Sequence, residues 1–287
     1  MIINGTTKLL GVMGYPVEHS LSPVMQNAAI ADLGEDYVYV PLPVQPKDLE
    51  TALAGLAAIN VQGFSVTIPH KQAIIPLLSE VSTVAQSVGA VNTVWRQENG
   101  WGGTNTDVVG FLAPLRRHSM DWKSKTAVIL GNGGAARAVV AGCCQLGIKK
   151  IYVIGRNREK LTQFQTSWFN SPMNVALDVH PWEALPSLLS ETDLLVNTTP
   201  VGMYPLTDQS PVAETDLNQL KPNTIAYDLI YRPRPTKFLQ FAAARGAIII
   251  DGLEMLVQQG AAALQLWLQQ PVNVEIMQQS LEQAIEL

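Results

Sequence analysis

The sequence predicts an α/β protein built from two α/β domains, and three observations carry the prediction. Strand-like and helix-like segments alternate almost from end to end. An apolar strand at 126–131 runs straight into a glycine-rich loop that opens a helix. The last stretch, 252–287, is helical and has no sheet of its own to cover. Strands alternating with helices form parallel sheets covered on both faces, and 287 residues suffice for two such domains.

The elements follow in order. Residues 9–14 are a strand, and 23–34 a helix with Pro23 at its start and Gly34 just past its end. A strand over 36–42 leads to a helix over 46–59 with acids in its early turns, then a strand over 61–68. Two short helices are expected near 70–78 and 80–88. Residues 90–105 read as a hairpin turning at Glu98–Gly100. A helix over 105–118 leaves this domain, and the polar stretch 118–125 leads to the strand at 126–131. Beyond it, helices at 133–147, 157–169, 182–189 and 236–246 alternate with strands at 149–155, 173–179, 193–199, 224–230 and 247–252. Helices over 253–270 and 273–287 close the chain and are expected to return to the first domain. The expected division is 1–105, 106–250 and 251–287.

Composition narrows the function classes. Apolar residues make up 47% and charged residues 15%, the net charge is −5, and no Lys/Arg cluster stands out. Nucleic acid and anionic membrane are therefore not expected partners. No apolar run reaches the about 18 residues that a membrane span needs. The N-terminal stretch enters a strand-like run with no basic region or signal-like apolar segment before it, so a cytoplasmic location is expected. Cys143 and Cys144 are neighbours in an apolar helix, where a disulfide would be strained, and they read as free thiols. The four histidines have no metal-ligand spacing, and no metal is expected.

The loop Gly131-Asn132-Gly133-Gly134-Ala135-Ala136 matches G-x-G-x-x-A between a strand and a helix. Gly131 permits the tight turn, Gly133 lets backbone approach a pyrophosphate, and Ala136 allows close helix–strand packing. The free N–H groups of the helix start then face the phosphates. The reading is a Rossmann-type dinucleotide-binding domain. Its second strand ends at Gly155, where an NAD site carries an acid for the ribose hydroxyls. Here Arg156, Asn157 and Arg158 follow instead. An arginine attracts a 2′-phosphate that an acid would repel, so NADP is favoured over NAD. In the first half, Ser20 and Lys71 lie just beyond strand ends, where open α/β sheets take ligands, and Asp107 starts the helix leading to the second domain.

EHSLSPVMQN, GFSVTIPHK, GAVNTV, NTDVVGF, GNGGAARA, NTTPVGM, DLIYRP and GLEMLVQQGA, in this order and over nearly the whole chain, resemble the shikimate dehydrogenase family in its monofunctional form. The resemblance implies reversible NADPH-dependent reduction of 3-dehydroshikimate to shikimate, with the first domain holding the substrate. It implies that Ser20 and Ser22 hold the substrate carboxylate, with Tyr231 near that end and Thr67 on the ring side. Lys71, Asn92, Asp107 and Gln259 would surround the ring hydroxyls and the reacting carbonyl. Gly131, Asn132, Gly133, Gly134, Ala135, Arg156, Asn157, Arg158, Asn197, Thr198 and Met203 would line the cofactor, with Gly252 and Met255 near the nicotinamide. The chemistry agrees: hydride arriving at a carbonyl leaves charge on oxygen, and Lys71 as general acid, steadied by Asp107, supplies the proton. The family often has Asn-Arg-Thr at the phosphate turn. Gly155-Arg156-Asn157 departs from it and predicts a weaker NADP preference. His19 and His70 flank the site motifs in structural roles. A quinate or dual quinate/shikimate dehydrogenase of the same fold is the nearest rival, and Ser22 argues against it, since quinate enzymes of the family tend to have threonine there. A non-catalytic dinucleotide sensor would not need the Lys71/Asp107 pair. The expected partner is a small-molecule substrate, with a homodimer left open.

Overall fold

Seven residues, Lys8–Gly14, form the first strand, β1, in which every position from Leu10 onward is buried. The computed structural model describes residues 2–169, 171–173 and 175–286. After β1 come helix α1 (Ser22–Leu33), strand β2 (Tyr37–Pro43), a 3-10 turn and α2 (Leu49–Ala58), and β3 (Gly63–Val66). A single helical turn, α3 (His70–Ala73), precedes β4 (Glu80–Val81), α4 (Thr83–Val88), β5 (Thr93–Gln97), β6 (Gly100–Thr104) and α5 (Asp107–Leu115). The six strands form one sheet in the order β2-β1-β3-β5-β6-β4. Its neighbours are parallel except at β5, which runs against both β3 and β6 because the two-residue turn after Gln97 folds β5 and β6 into the expected hairpin.

The helix expected over 80–88 starts later. Glu80 and Val81 pair with Gly102 and Gly103 as an edge strand, and Ser82 then caps α4 by accepting from Ala85 N at 3.2 Å. Met13, Phe64, Val66, Ile74, Val94 and Trp101 centre the apolar core on one side of this sheet.

The second sheet is wholly parallel, in the order β12-β11-β10-β7-β8-β9. Its strands are β7 (Thr126–Leu130), β8 (Lys150–Gly155), β9 (Asp178–Pro181), β10 (Leu194–Asn197), β11 (Ile225–Asp228) and β12 (Ile248–Ile250). The helices among them are α6 (Gly134–Leu146), α7 (Arg158–Thr166), α8 (Leu185–Leu189) and α9 (Lys237–Ala243). The order is that of a doubly wound dinucleotide fold, with the chain reversing direction across the sheet between β7 and β10. The strand expected over 173–179 forms over Asp178–Pro181, where it finds its ladder with Tyr152–Gly155 of β8; position 174 lies outside the described residues. Val128, Leu130, Ile154, Leu195, Ala226 and Phe238 anchor this core.

Two helices end the chain, α10 (Leu253–Leu268) and α11 (Val274–Glu286). The chain divides into two compact units, one of residues 1–110 with 256–287 and one of 111–255. The terminal helices do return to the first unit. The indole Nε1 of Trp267 donates to Val94 O at 2.8 Å, and Gln26 Nε2 of α1 donates to Gly260 O at 3.0 Å.

Candidate active site

The first unit gathers its polar groups at the carboxyl ends of β1 and β3 and at the starts of β5 and α5. Thr67 follows β3, and its N–H donates to Met13 O of the neighbouring strand. Its carbonyl accepts from His70 N, which turns the chain into α3 and sets Lys71 on that single turn. The buried His70 ring fixes the turn from below: Nε2 donates to Val44 O at 2.7 Å. Lys71 Nζ donates to Asp107 Oδ2 at 2.5 Å, across 36 positions of chain. Asp107 is the first residue of α5, where the unpaired N–H groups of a helix start favour a carboxylate.

Asn92 completes the pair. Its Oδ1 accepts from the backbone N–H of Thr106 at 2.7 Å and from the Thr93 hydroxyl at 2.9 Å. A backbone N–H can only donate, so the other end of the amide is the NH₂ group. That group donates to Asp107 Oδ1 at 2.8 Å and to Thr106 Oγ1 at 2.9 Å, and reaches Gln259 Oε1 at 3.4 Å. Both Asp107 oxygens are thus held, one by Lys71 and one by Asn92. An ammonium has three N–H donors, and Lys71 directs one of them at Asp107. Its side chain keeps 17% of its surface exposed, so the remaining donors can meet a ligand.

The structure therefore brings Lys71, Asp107, Asn92 and Gln259 into one hydrogen-bonded group. Ser20 and Ser22 lie on the loop after β1, where Ser22 N donates to Ser20 Oγ at 3.3 Å and Ser22 opens α1. Thr106 belongs to the group too, and sequence reasoning missed it. Its only signal is its place between Asn105 and Asp107.

In the second unit the glycine loop has the predicted geometry. Gly131 has φ +103°, and a Cβ there would stand 2.7 Å from Thr198 Oγ1. Thr198 approaches this closely because its hydroxyl donates to Leu130 O at 2.7 Å. Among the described residues no side chain caps the start of α6 at Gly133, and none lies within 4 Å of the place a Cβ would take there. The first-turn N–H groups of a helix in that state are a ready site for a phosphate. Ala136 is fully buried against the sheet.

Arg156, Asn157 and Arg158 are exposed at the end of β8. Among the described residues neither guanidinium forms an ion pair, which leaves both for an anion. Asn157 has a role that the sequence did not show. It caps α7, its Oδ1 accepting from Lys160 N at 2.9 Å.

Asn197 closes β10. It is fully buried, and its amide serves the protein: Nδ2 donates to Asp228 Oδ1, and Oδ1 accepts from Thr199 N and Thr199 Oγ1. Its side chain thereby holds the 198–203 turn. Thr198 is half-buried and Met203 exposed on that turn. Gly252 N donates to Ile230 O at 3.0 Å, and a Cβ on Gly252 would overlap the Leu229 carbonyl. Met255 is buried in the first turn of α10, and Tyr231 is half-buried in the loop after β11, in the second unit.

Cys143 and Cys144 are free thiols, and burial pushes the Cys143 thiol far up. Among the described residues no His/Cys/Asp/Glu group could hold a metal ion, and no helix is long and apolar enough to cross a membrane.

Comparison with known proteins agrees with this geometry. Three family descriptions match: the shikimate dehydrogenase substrate binding domain over 12–94, shikimate / quinate 5-dehydrogenase over 114–236, and the shikimate 5′-dehydrogenase C-terminal domain over 252–282. The shikimate dehydrogenase (NADP(+)) of Nostoc sp. (strain PCC 7120) is 64% identical, with 98% of both chains covered. The crystal structure of shikimate dehydrogenase from Aquifex aeolicus superposes with a TM-score of 0.87 at 35% identity, covering 98% of this chain and 99% of that one. The enzyme from Thermus thermophilus, crystallised with NADP(H) and shikimate, superposes with a TM-score of 0.85 at 32% identity, covering 97% and 100%. Matched end to end in sequence and in fold, the chain belongs to the shikimate dehydrogenase family.

Proposed function

We propose that this chain catalyses the reversible NADP-dependent reduction of 3-dehydroshikimate to shikimate, a step in aromatic amino acid biosynthesis. The observation that carries the reading is the Lys71–Asp107 pair, 2.5 Å apart at the carboxyl ends of the first sheet's strands. NADPH, when bound, supplies the hydride. Lys71 Nζ gives a proton to the substrate oxygen as that oxygen gains charge, and takes it back in the oxidation direction. Asp107 Oδ2 holds Nζ in place, and Asn92 keeps Asp107 from turning away. Asn92, Gln259 and Thr67 offer donors and acceptors to the ring hydroxyls. Ser20 and Ser22 take the carboxylate.

The second unit suits a phosphorylated dinucleotide. The uncapped start of α6 would take the pyrophosphate over Gly131, Asn132, Gly133, Gly134 and Ala135. Arg156 and Arg158 would take the 2′-phosphate, and Thr198, Met203, Gly252 and Met255 would lie along the nicotinamide side. Residues 1–105 act as the substrate-binding domain, 106–250 as the Rossmann-type NADP-binding domain, and 251–287 as helices packing on the first. A cytoplasmic location fits a chain whose two cysteines are both free thiols. Light scattering decides between a monomer and a homodimer.

The test is steady-state oxidation by the full chain of shikimate and quinate, each with NADP⁺ and NAD⁺. Shikimate with NADP⁺ should give the highest kcat/KM. Quinate has a tetrahedral carbon beside its carboxylate where shikimate has a flat one, so a pocket shaped for one disfavours the other. Equal kcat/KM for both acids, or a preference for NAD⁺, would overturn the reading.

A further inference from the structure

Asp228 is a buried carboxylate that this chemistry does not use. It closes β11, is fully buried, and has partners on both oxygens. Oδ1 accepts from Asn197 Nδ2 at 3.0 Å and from Ile230 N at 3.1 Å, and Oδ2 accepts from the Thr236 hydroxyl at 2.6 Å. Each donor governs a different segment. Asn197 holds the 198–203 turn through Thr199 and reaches Val201 O at 3.3 Å. Ile230 starts the segment that carries Tyr231, and its carbonyl accepts from Gly252 N just ahead of α10. Thr236 caps α9 by accepting from Leu239 N at 3.3 Å. Asn197 and Asp228 are paired in register, so all three segments meet at the carboxyl edge of the sheet. That edge is where an open α/β sheet takes its ligand.

We propose that Asp228 is a positioning residue for the nicotinamide side of the cofactor site, holding the segments of Thr198, Met203 and Gly252 together as a carboxylate and releasing them when protonated. The proposal rests on the NADP reading above. A carboxylate is an acceptor only and can serve all three donors at once. A proton on Oδ1 would point an O–H at two N–H donors, and a proton on Oδ2 would force the Thr236 hydroxyl, which already accepts from Leu239 N, to accept again and give up its own donation. Burial pushes the Asp228 carboxyl up to about 6, against the pull of its three hydrogen bonds, and Asp251 adds to the rise. The charged groups around it are mostly paired: Asp251 with Arg234 Nε at 2.7 Å, and Glu254 with Arg117 at 2.7 Å. Lys237 stands at the first position of α9, Arg232 lies on the intervening segment, and burial keeps the Tyr227 phenol neutral.

The experiment is titration of the full chain with NADP⁺ by tryptophan fluorescence from pH 8 to pH 5, on wild type, Asp228→Asn and Thr236→Val. A phosphomonoester titrates in the same range, so the displacement between proteins is the readout. Thr236→Val removes a hydrogen bond that holds the Asp228 carboxyl down, and the acid loss of binding should move to higher pH. Asp228→Asn should bind NADP⁺ about tenfold more weakly at pH 8. A merely structural role would lower Tm in both variants without moving the midpoint. Coincident midpoints for wild type and Thr236→Val would overturn the proposal, as would an Asp228→Asn protein that binds like wild type at pH 8. If Asp228→Asn does not fold, Thr236→Val decides alone. A wild type that fails to bind NADP⁺ at pH 8 would instead overturn the cofactor reading itself.

Discussion

Asn157 shows a polar side chain taken up by the fold between two residues proposed to meet a ligand. Its Oδ1 caps α7, while its neighbours Arg156 and Arg158 present guanidinium groups that form no ion pair among the described residues. Asn157→Ala should destabilise the protein by about 1 kcal/mol through loss of the cap. Asn157→Asp keeps the cap but sets a negative charge where the 2′-phosphate is expected. It should hold its stability and lose NADP⁺ affinity, with NAD⁺ affected much less. Arg156→Ala should raise KM for NADP⁺ roughly ten- to a hundredfold, the worth of one charge-assisted hydrogen bond, and leave KM for NAD⁺ nearly unchanged. Denaturation curves and kcat/KM for both cofactors check these outcomes, and equal weakening of both cofactors by Arg156→Ala would contradict the assignment. The sequence showed that an arginine stands where an acid would mark NAD. It could not show the cap, because an asparagine before a helix looks the same whether or not its oxygen has turned inward. Asp228 was illegible for a similar reason. At the end of an apolar strand it reads as any strand-ending polar residue, and its three partners come from positions 197, 230 and 236.

Among the elements, the strand–loop–helix of β7 and α6 was the most legible, because a tight turn and a close approach both demand glycine. Gly131 meets both demands at once, with φ +103° and Thr198 Oγ1 beside it. Gly131→Ala should cost about 1–3 kcal/mol, the usual strain of a side chain in that backbone region, and should weaken NADP⁺ binding by displacing Thr198. Urea denaturation and cofactor titration measure the two effects; an alanine protein as stable as wild type would contradict the geometry. The β5–β6 hairpin was also legible, from the Glu98-Asn99-Gly100 turn. Strand β4 was not. It is two residues long and owes its existence to pairing with Gly102 and Gly103, which no local pattern announces. The Lys71–Asp107 pair came from the resemblance, since 36 positions separate its members and no helix or strand period joins them.

For the whole molecule, the sequence revealed the return of the chain end because α10 and α11 carry apolar faces with no sheet of their own. The return also completes the polar group of the first unit, since Gln259 of α10 meets Asn92. Global stability should carry the mark of Asp228. Its folded pKa is raised from 3.8 to about 6, so between those values the folded chain holds a proton that the unfolded chain has lost. The resulting stability is fully present below pH 3.8 and is lost as pH rises through about 6, a change of roughly 3 kcal/mol. Denaturation at pH 4 and pH 7 should show this dependence in wild type relative to Asp228→Asn, whose amide cannot titrate. Parallel pH curves for the two proteins would contradict it.

The most direct measurement is kcat and KM for shikimate oxidation with NADP⁺ by Lys71→Ala beside wild type. If Lys71 moves the proton while Asp107 and Asn92 hold it in place, kcat should fall by roughly 10²–10⁴-fold and shikimate KM should change little. A steep rise in KM with kcat preserved would make Lys71 a binding residue and contradict the account.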